Sequence, residues 1–223
     1  MEQLIVTILK SIALVPVTLL PIINPLSTAP VFVATVASDH TLAVRVARQV
    51  AINSWFVIVA SMLIGTYVLA IFGISLPVVR IGGGLLVAST AWRLLHHADD
   101  DEVHARAAQE TCEMNRAEVI RRSFFPITFP LTTGPGTIAA SIALGAQNPT
   151  TPMPYVAGAL VAAAGAAVVS IVLYLIFRNS TAVVRWLGDV GMLVMTRLMA
   201  FVLLCIGIEI MWYGWVELNA LGG

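Results

Sequence analysis

The chain has 223 residues, of which 59% are apolar and 11% charged, and its 12 basic and 12 acidic side chains cancel to a net charge of zero. A soluble domain carries about a quarter charged residues to keep its surface hydrated, so this inventory excludes a water-exposed globule. The absence of a basic excess removes any argument for nucleic acid as a partner, and the bilayer becomes the expected solvent for one transmembrane domain over residues 1–223.

Apolar runs at about 4–37, 50–72, 75–95, 123–147, 153–177 and 192–216 predict six transmembrane helices in an all-α polytopic membrane protein. Each run is long enough, at 1.5 Å per residue, to cross about 30 Å of hydrocarbon. The first is too long for the apolar region of a signal peptide and lacks a small-residue cleavage site, so it is read as retained. The link from Phe72 to Pro77 is short enough to force a tight hairpin between spans two and three.

The link over residues 96–122 mixes Asp99, Asp100, Asp101, Glu102, Glu110 and Glu113 with arginines, and reads as a solvated segment between a first repeat at 1–95 and a second at 123–223. His96, His97, His104 and Cys112 lie in it at spacings that match no zinc pattern, so no metal is expected. Cys112 in this link and Cys205 in an apolar span are not expected to pair. No P-loop is present, and no cofactor is expected.

If the spans alternate direction, Arg45, Arg48, Arg93, Arg106, Arg116, Arg121, Arg122, Arg178, Arg185 and Arg197 gather at one side, leaving Lys10 and Arg80 at the other. An excess of basic residues in short loops marks the cytoplasmic side, so both termini are expected outside the cytoplasm.

Sliding the chain against itself by 105 residues aligns the segment Pro21 to Pro30 with Pro126 to Pro135: three prolines, an Ile, a Leu and a Thr coincide. Three spans separate the copies, so the second is inserted upside down, as in transporters built from inverted-topology repeats. The predicted fold is two inverted three-helix repeats with helices 1 and 4 broken at these motifs. Proline removes an N–H and clashes with the preceding turn, and the freed backbone groups are tolerated in hydrocarbon only where protein or a wet cavity surrounds them. Counted from Thr28 to Ser38 and from Gly136 to Gln147, each half-helix runs about 11–12 residues, or roughly 16–18 Å, which puts both breaks near the midplane.

Two opposed half-helices then aim their positive N-terminal ends at one point, which attracts an anionic or zwitterionic solute such as a carboxylate. Ser27, Thr28, Thr132, Thr133 and Thr137 can cap the free amides or donate to a ligand. Asn24, beside Pro25, can donate and accept, and Gly134 and Gly136 let a ligand approach bare backbone. Simple kinking with hydroxyls back-bonded to carbonyls is the plainer alternative, and duplication at inverted positions favours the site.

Glu209 in the last span and Arg197 one turn inside its opposite end are candidate coupling residues for protons or sodium ions. Arg197 fits snorkelling to the interface better. Trp212, Tyr213 and Trp215 read as an interfacial belt, and Gly82, Gly83 and Gly84 as close helix packing.

Leu20-Pro21 with Asn24-Pro25-Leu26, Phe72 to Pro77 with Arg80 to Leu85, Gly134-Pro135-Gly136-Thr137-Ile138-Ala139 and Arg197-Leu198-Met199 together resemble the MarC family of integral membrane proteins over essentially the whole chain. That family is similar to the six-span small neutral amino-acid transporters, which implies a small neutral amino acid as substrate. Three positions depart from its pattern: Ser27 and Ala200 stand where glycine is usual, and Glu209 where glutamine is usual.

The leading expectation is therefore a secondary transporter or exporter of small neutral amino acids in the inner membrane. The alternatives are a non-transporting envelope or regulatory protein acting through the 96–122 link and an intramembrane enzyme. An enzyme is not expected, since no H-E-x-x-H or G-x-S-x-G motif and no histidine within a span supplies a base. A homo-oligomer is compatible with all three.

Overall fold

The computed structural model describes residues 2–36, 40–96, 123–146 and 152–221, which are helical apart from the short breaks and turns between helices. Most of the 96–122 link, including His97, His104 and Cys112, lies outside the described residues, as do Ser38 and Gln147.

Helix α1 (Glu2–Ile23) ends at Asn24, and α2 (Pro25–Thr35) leaves at 57° to it. Helix α3 (His40–Ile71) continues ten residues further back than the apolar run at 50–72 suggests, because its start is helical but polar. Helix α4 (Leu76–His96) follows the expected short hairpin, where Gly73 takes a positive φ of 69° in the turn. The second half opens with a π-helix, Ser123–Thr132, then α5 (Pro135–Gly145), α6 (Pro152–Arg178) and α7 (Ser180–Leu221). Gly188 interrupts α7 with φ 61° and ψ 177°, a combination that only glycine adopts at low cost.

By length and composition, α3, α4, α6 and the part of α7 from Val190 to Ala220 can each cross a membrane, and α1 with α2 makes a fifth, bent span; α5 is shorter. Large apolar side chains including Val17, Phe56, Ile71, Leu160 and Phe201 are exposed. In water so large an apolar surface would drive association, whereas in lipid it is the natural outside.

The interior is layered by size. Phe32 at the far end of α2 stacks on Phe177 at the end of α6, with ring centroids 4.7 Å apart and planes 12° from parallel. Leu19, Val46, Val50, Ile58, Val169 and Leu173 belong to the same buried cluster. Elsewhere small residues let backbones touch. A Cβ on Gly84 would lie 2.6 Å from the Gly207 carbonyl oxygen, and one on Gly207 would lie 2.6 Å from the Ala88 nitrogen. These glycines join α4 to α7 as the small-residue seam expected of helices that pack without a hydrophobic driving force. Gly83 packs on Ala139 in the same manner, but Gly82 is exposed with nothing near its missing Cβ, so only two of the three consecutive glycines serve packing.

The two half-helices point to opposite ends. Phe32 and Val36 bring the end of α2 to the end of α6, where Arg48 and Tyr174 line one groove. Gly145, the last residue of α5, lies against the Met62 backbone in the later part of α3. Both half-helices are 11 residues long and both open on a proline, as the first helical position allows because its N–H is unsatisfied in any case. They start at Pro25 and Pro135, not at Thr28 and Gly136. Sliding by 105 residues pairs Pro135 with Pro30, so the repeat's sequence register does not superimpose the two breaks. The break falls where the backbone leaves helical geometry, and Pro30 is accommodated inside α2.

Candidate binding site

Each break is made differently. Asn24 adopts the left-handed conformation, with φ 46° and ψ 62°, the one non-glycine residue among those described to have a positive φ. Asparagine tolerates this region better than other chiral residues. At the second break the π-helix carries the chain up to Thr133, whose N–H bonds to the Thr128 carbonyl at 2.7 Å, five residues back. Pro126 and Pro130 lie within that segment.

The hydroxyls do not cap the half-helices. Ser27 Oγ donates to the Asn24 carbonyl at 3.0 Å and Thr28 Oγ1 to that of Pro25 at 3.2 Å. Thr132 Oγ1 donates to the Ile127 carbonyl at 2.7 Å and Thr133 Oγ1 to that of Thr128 at 2.9 Å. Capping by these side chains is thus corrected to back-bonding: each hydroxyl meets a carbonyl of its own segment, and the Asn24 and Thr128 carbonyls accept a backbone N–H as well, from Ser27 and Thr133. The residues in capping position are Asn24 and Gly134, and neither forms a side-chain hydrogen bond to the helix it precedes.

Asn24 is 4% exposed, and neither its Nδ2 nor its Oδ1 has a partner. A buried amide left unpaired costs about 1–3 kcal/mol, so its retention needs a reason. It borders a cavity of about 280 Å³, small against the roughly 300–1,000 Å³ of sites for larger ligands. Ser27, Thr28, Thr132, Gly134, Gly136 and Thr137 also line this cavity; Pro25 and Thr133 do not and are buried beside it.

The rest of the wall comes from residues that the motifs do not contain: Leu86, Val87, Thr90 and Leu94 of α4 and Leu203 of α7. Four of the five are apolar residues in apolar spans, and nothing in their own sequence context singles them out. Asn53 was also passed over, although an asparagine within an apolar run is a readable signal. Its Nδ2 donates to Thr128 Oγ1 at 3.4 Å, tying α3 to the π-helix.

Glu209 and Arg197 are both exposed and neither borders the Asn24 cavity. Glu209 lines a second cavity of about 470 Å³ together with Thr18, Arg80, Ala140, Leu144 and Ile206. Arg80 forms an ion pair with Glu217 there, bridging α4 and α7. Along α1, α5 and α7 the residues facing the two cavities are about one helical turn apart: Ile22 and Thr18, Thr137 and Ala140, Leu203 and Ile206. On α4 the second cavity meets Arg80, and the first meets Leu86 to Leu94. The cavities therefore lie toward opposite ends of the bundle with a thin packed layer between them.

Long apolar helices, a lipid-like exterior and a small polar cavity at a helix break define an integral membrane protein of several spans. The family model described as MarC family integral membrane protein matches residues 9–218, and the chain belongs to that family. It is similar to the inner membrane protein MarC of Citrobacter koseri, 33% identical over 218 residues that cover 94% of this chain and 96% of the relative. It is likewise similar to the inner membrane protein MarC of Salmonella typhimurium, 32% identical over 218 residues with the same coverage, and to that of Escherichia coli O1:K1, 33% identical over 216 residues with 94% and 96% covered. No solved structure matches the chain.

Proposed function

We propose that this protein is a secondary transporter of small neutral amino acids, exporter or importer, in the inner membrane, the location that its relatives' names give. The observation that carries the reading is the unpartnered, buried Asn24 amide at a small cavity where two half-helices begin. A zwitterion suits both parts. Its carboxylate is drawn to the positive N-terminal ends of α2 and α5. Asn24 donates to that carboxylate through Nδ2 and accepts from the ammonium through Oδ1.

Six spans in two inverted repeats accommodate this site if the π-helix and α5 form the fourth. Three features support the arrangement: half-helices of equal length pointing to opposite ends, α3 packed on α6, and α4 packed on α7. Exchange of the repeats maps each of these two pairs onto itself. The contact of α2 with α7 likewise becomes that of α5 with α4. Two cavities separated by about one turn suit alternating access, in which rocking of one repeat opens the layer on one side as it closes the other. Both termini then lie outside the cytoplasm.

The coupling ion is a proton or sodium, and Glu209, facing the second cavity, is the candidate carboxylate. Arg197 stands ready to snorkel at the other end. Among the described residues, the cavity lining offers no histidine, carboxylate, lysine or cysteine to act as a base, which favours transport over a catalytic role.

The test is uptake of labelled glycine, alanine, serine and threonine into proteoliposomes under imposed proton and sodium gradients. Wild type should show gradient-dependent flux, and Asn24→Gly, folded, should lose it. A folded wild type inert toward all four would overturn the substrate assignment.

A further inference from the structure

A third cavity lies on the outer face of the bundle, between α3 and α6, with a volume of about 550 Å³. It is not connected with the breaks, and its lining changes chemistry in steps. Because α3 and α6 run antiparallel here, Arg48 lies at the level of Tyr174, Ala51 and Ile52 at that of Ser170 and Ile171, and Trp55 at that of Ala167. A cation thus stands at the mouth, a hydroxyl about one turn deeper, roughly 5 Å, and apolar surface beyond it.

Two of these side chains are set for a ligand. Ser170 is 8% exposed and its Oγ has no hydrogen-bond partner. Ser141 satisfies its hydroxyl on the Thr137 carbonyl at 2.7 Å, whereas Ser170, like Ser54 and Ser180, has no acceptor, and of these three only Ser170 lines this groove. Trp55 has its Nε1–H committed to the Ala163 carbonyl at 3.1 Å, so what it offers the groove is its apolar ring. Arg178, one turn beyond Tyr174 on α6 and outside the groove's lining, holds its guanidinium 5.9 Å from the centroid of the Tyr174 ring in a cation–π contact.

We propose that this groove binds an anionic glycerophospholipid. The order of its chemistry is that of the lipid: phosphate at Arg48, glycerol ester carbonyl at Ser170, and acyl chain along Ile52, Ile171 and Trp55. Arginine gives the phosphate charge-assisted hydrogen bonds. The Ser170 hydroxyl donates to an ester carbonyl, which a lipid supplies about one turn below its phosphate. Basic pockets between membrane helices are where anionic headgroups are held against exchange with bulk lipid.

Native mass spectrometry of the full-length protein, released from micelles containing equal phosphatidylglycerol and phosphatidylethanolamine, tests this. Wild type should retain phosphatidylglycerol preferentially. Arg48→Gln should lower that retention roughly tenfold, the scale of one charge-assisted hydrogen bond, and Ser170→Ala about threefold. Arg93→Gln, an exposed arginine of α4 that does not line the groove, should leave it unchanged. In bilayers with brominated phosphatidylglycerol, tryptophan quenching should fall in Trp55→Phe and in Arg48→Gln. Equal retention of the two lipids, or an equal loss in Arg93→Gln, would overturn the site in favour of a diffuse surface potential. A dimer that buries the groove and excludes lipid would overturn it as well.

Discussion

Asn24 and Gly134 occupy the same structural position, each the residue immediately before an 11-residue half-helix that opens on proline, and both border one cavity. They reach it by unlike backbones. Gly134 is extended, with φ −78° and ψ 178°, whereas Asn24 is left-handed. The residue that glycine's freedom would suit is therefore the asparagine, and its side chain is the one held without partners.

That relationship separates stability from function at one position. Asn24→Gly removes a buried unsatisfied amide and relieves the left-handed strain, so it should raise stability by up to about 1 kcal/mol while lowering flux at least tenfold. Asn24→Ala also removes the amide but keeps a Cβ at φ 46°, and should be less stable than Asn24→Gly by about 1 kcal/mol. Thermal unfolding in detergent beside proteoliposome flux reads both. A glycine variant that transports like wild type would remove Asn24 from the site.

Gly136 sets the size of the cavity. A Cβ there would lie 2.8 Å from Val87 Cγ2 and 3.9 Å from Ile22 Cγ2, two side chains of the cavity wall that can give way. Gly136→Ala should fold, and should narrow the space available to the substrate's side chain. One methylene in a fitted pocket is worth about 10- to 200-fold in discrimination, so transport of threonine should fall at least tenfold relative to glycine. Competition among labelled substrates would show it, and an unchanged ratio would place the substrate's side chain elsewhere.

The α4 glycines give a contrast within one turn. Gly84→Ala drives a Cβ to 2.6 Å from the Gly207 carbonyl oxygen and 2.8 Å from the Met211 nitrogen, both backbone atoms, and should cost about 1–3 kcal/mol. Gly82→Ala meets nothing and should stabilise by about 0.5–1 kcal/mol through helix propensity alone. Melting temperatures of the two variants should move in opposite directions.

These cases mark what the sequence could and could not convey. Long apolar runs located the helices, and the two proline clusters marked where breaks fall without choosing Pro25 and Pro135 among their prolines, because composition and proline geometry act locally. The π-helix was not read from the sequence: Ser123, Thr128 and Thr133 recur at intervals of five, but three hydroxyl residues beside two prolines are too few to set a helical period on their own. Of the two roles the sequence left open for the hydroxyls, back-bonding is the one they adopt, because a serine or threonine near a helix start can bond an amide or a carbonyl and only the local backbone geometry decides which lies in reach. Leu86, Val87, Leu94 and Leu203 were invisible as lining residues because only tertiary packing turns an apolar side chain toward a cavity.

Alternating access makes a demand that the two cavities can meet or fail. Leu94 borders the Asn24 cavity near the arginine-rich end, and Ala143 borders the Glu209 cavity beyond the packed layer. With Cys112 and Cys205 replaced by serine, Leu94→Cys should react with an impermeant maleimide applied from the side bearing Arg45 and Arg93, and Ala143→Cys from the opposite side. Saturating alanine shifts the population between the two openings, so it should change the two labelling rates in opposite senses, since a ligand moves an equilibrium only through differential affinity for its states. Reaction of both cysteines from one side would mean a single continuous vestibule. Rates that rise or fall together with alanine would mean that binding tightens the bundle without exchanging its openings.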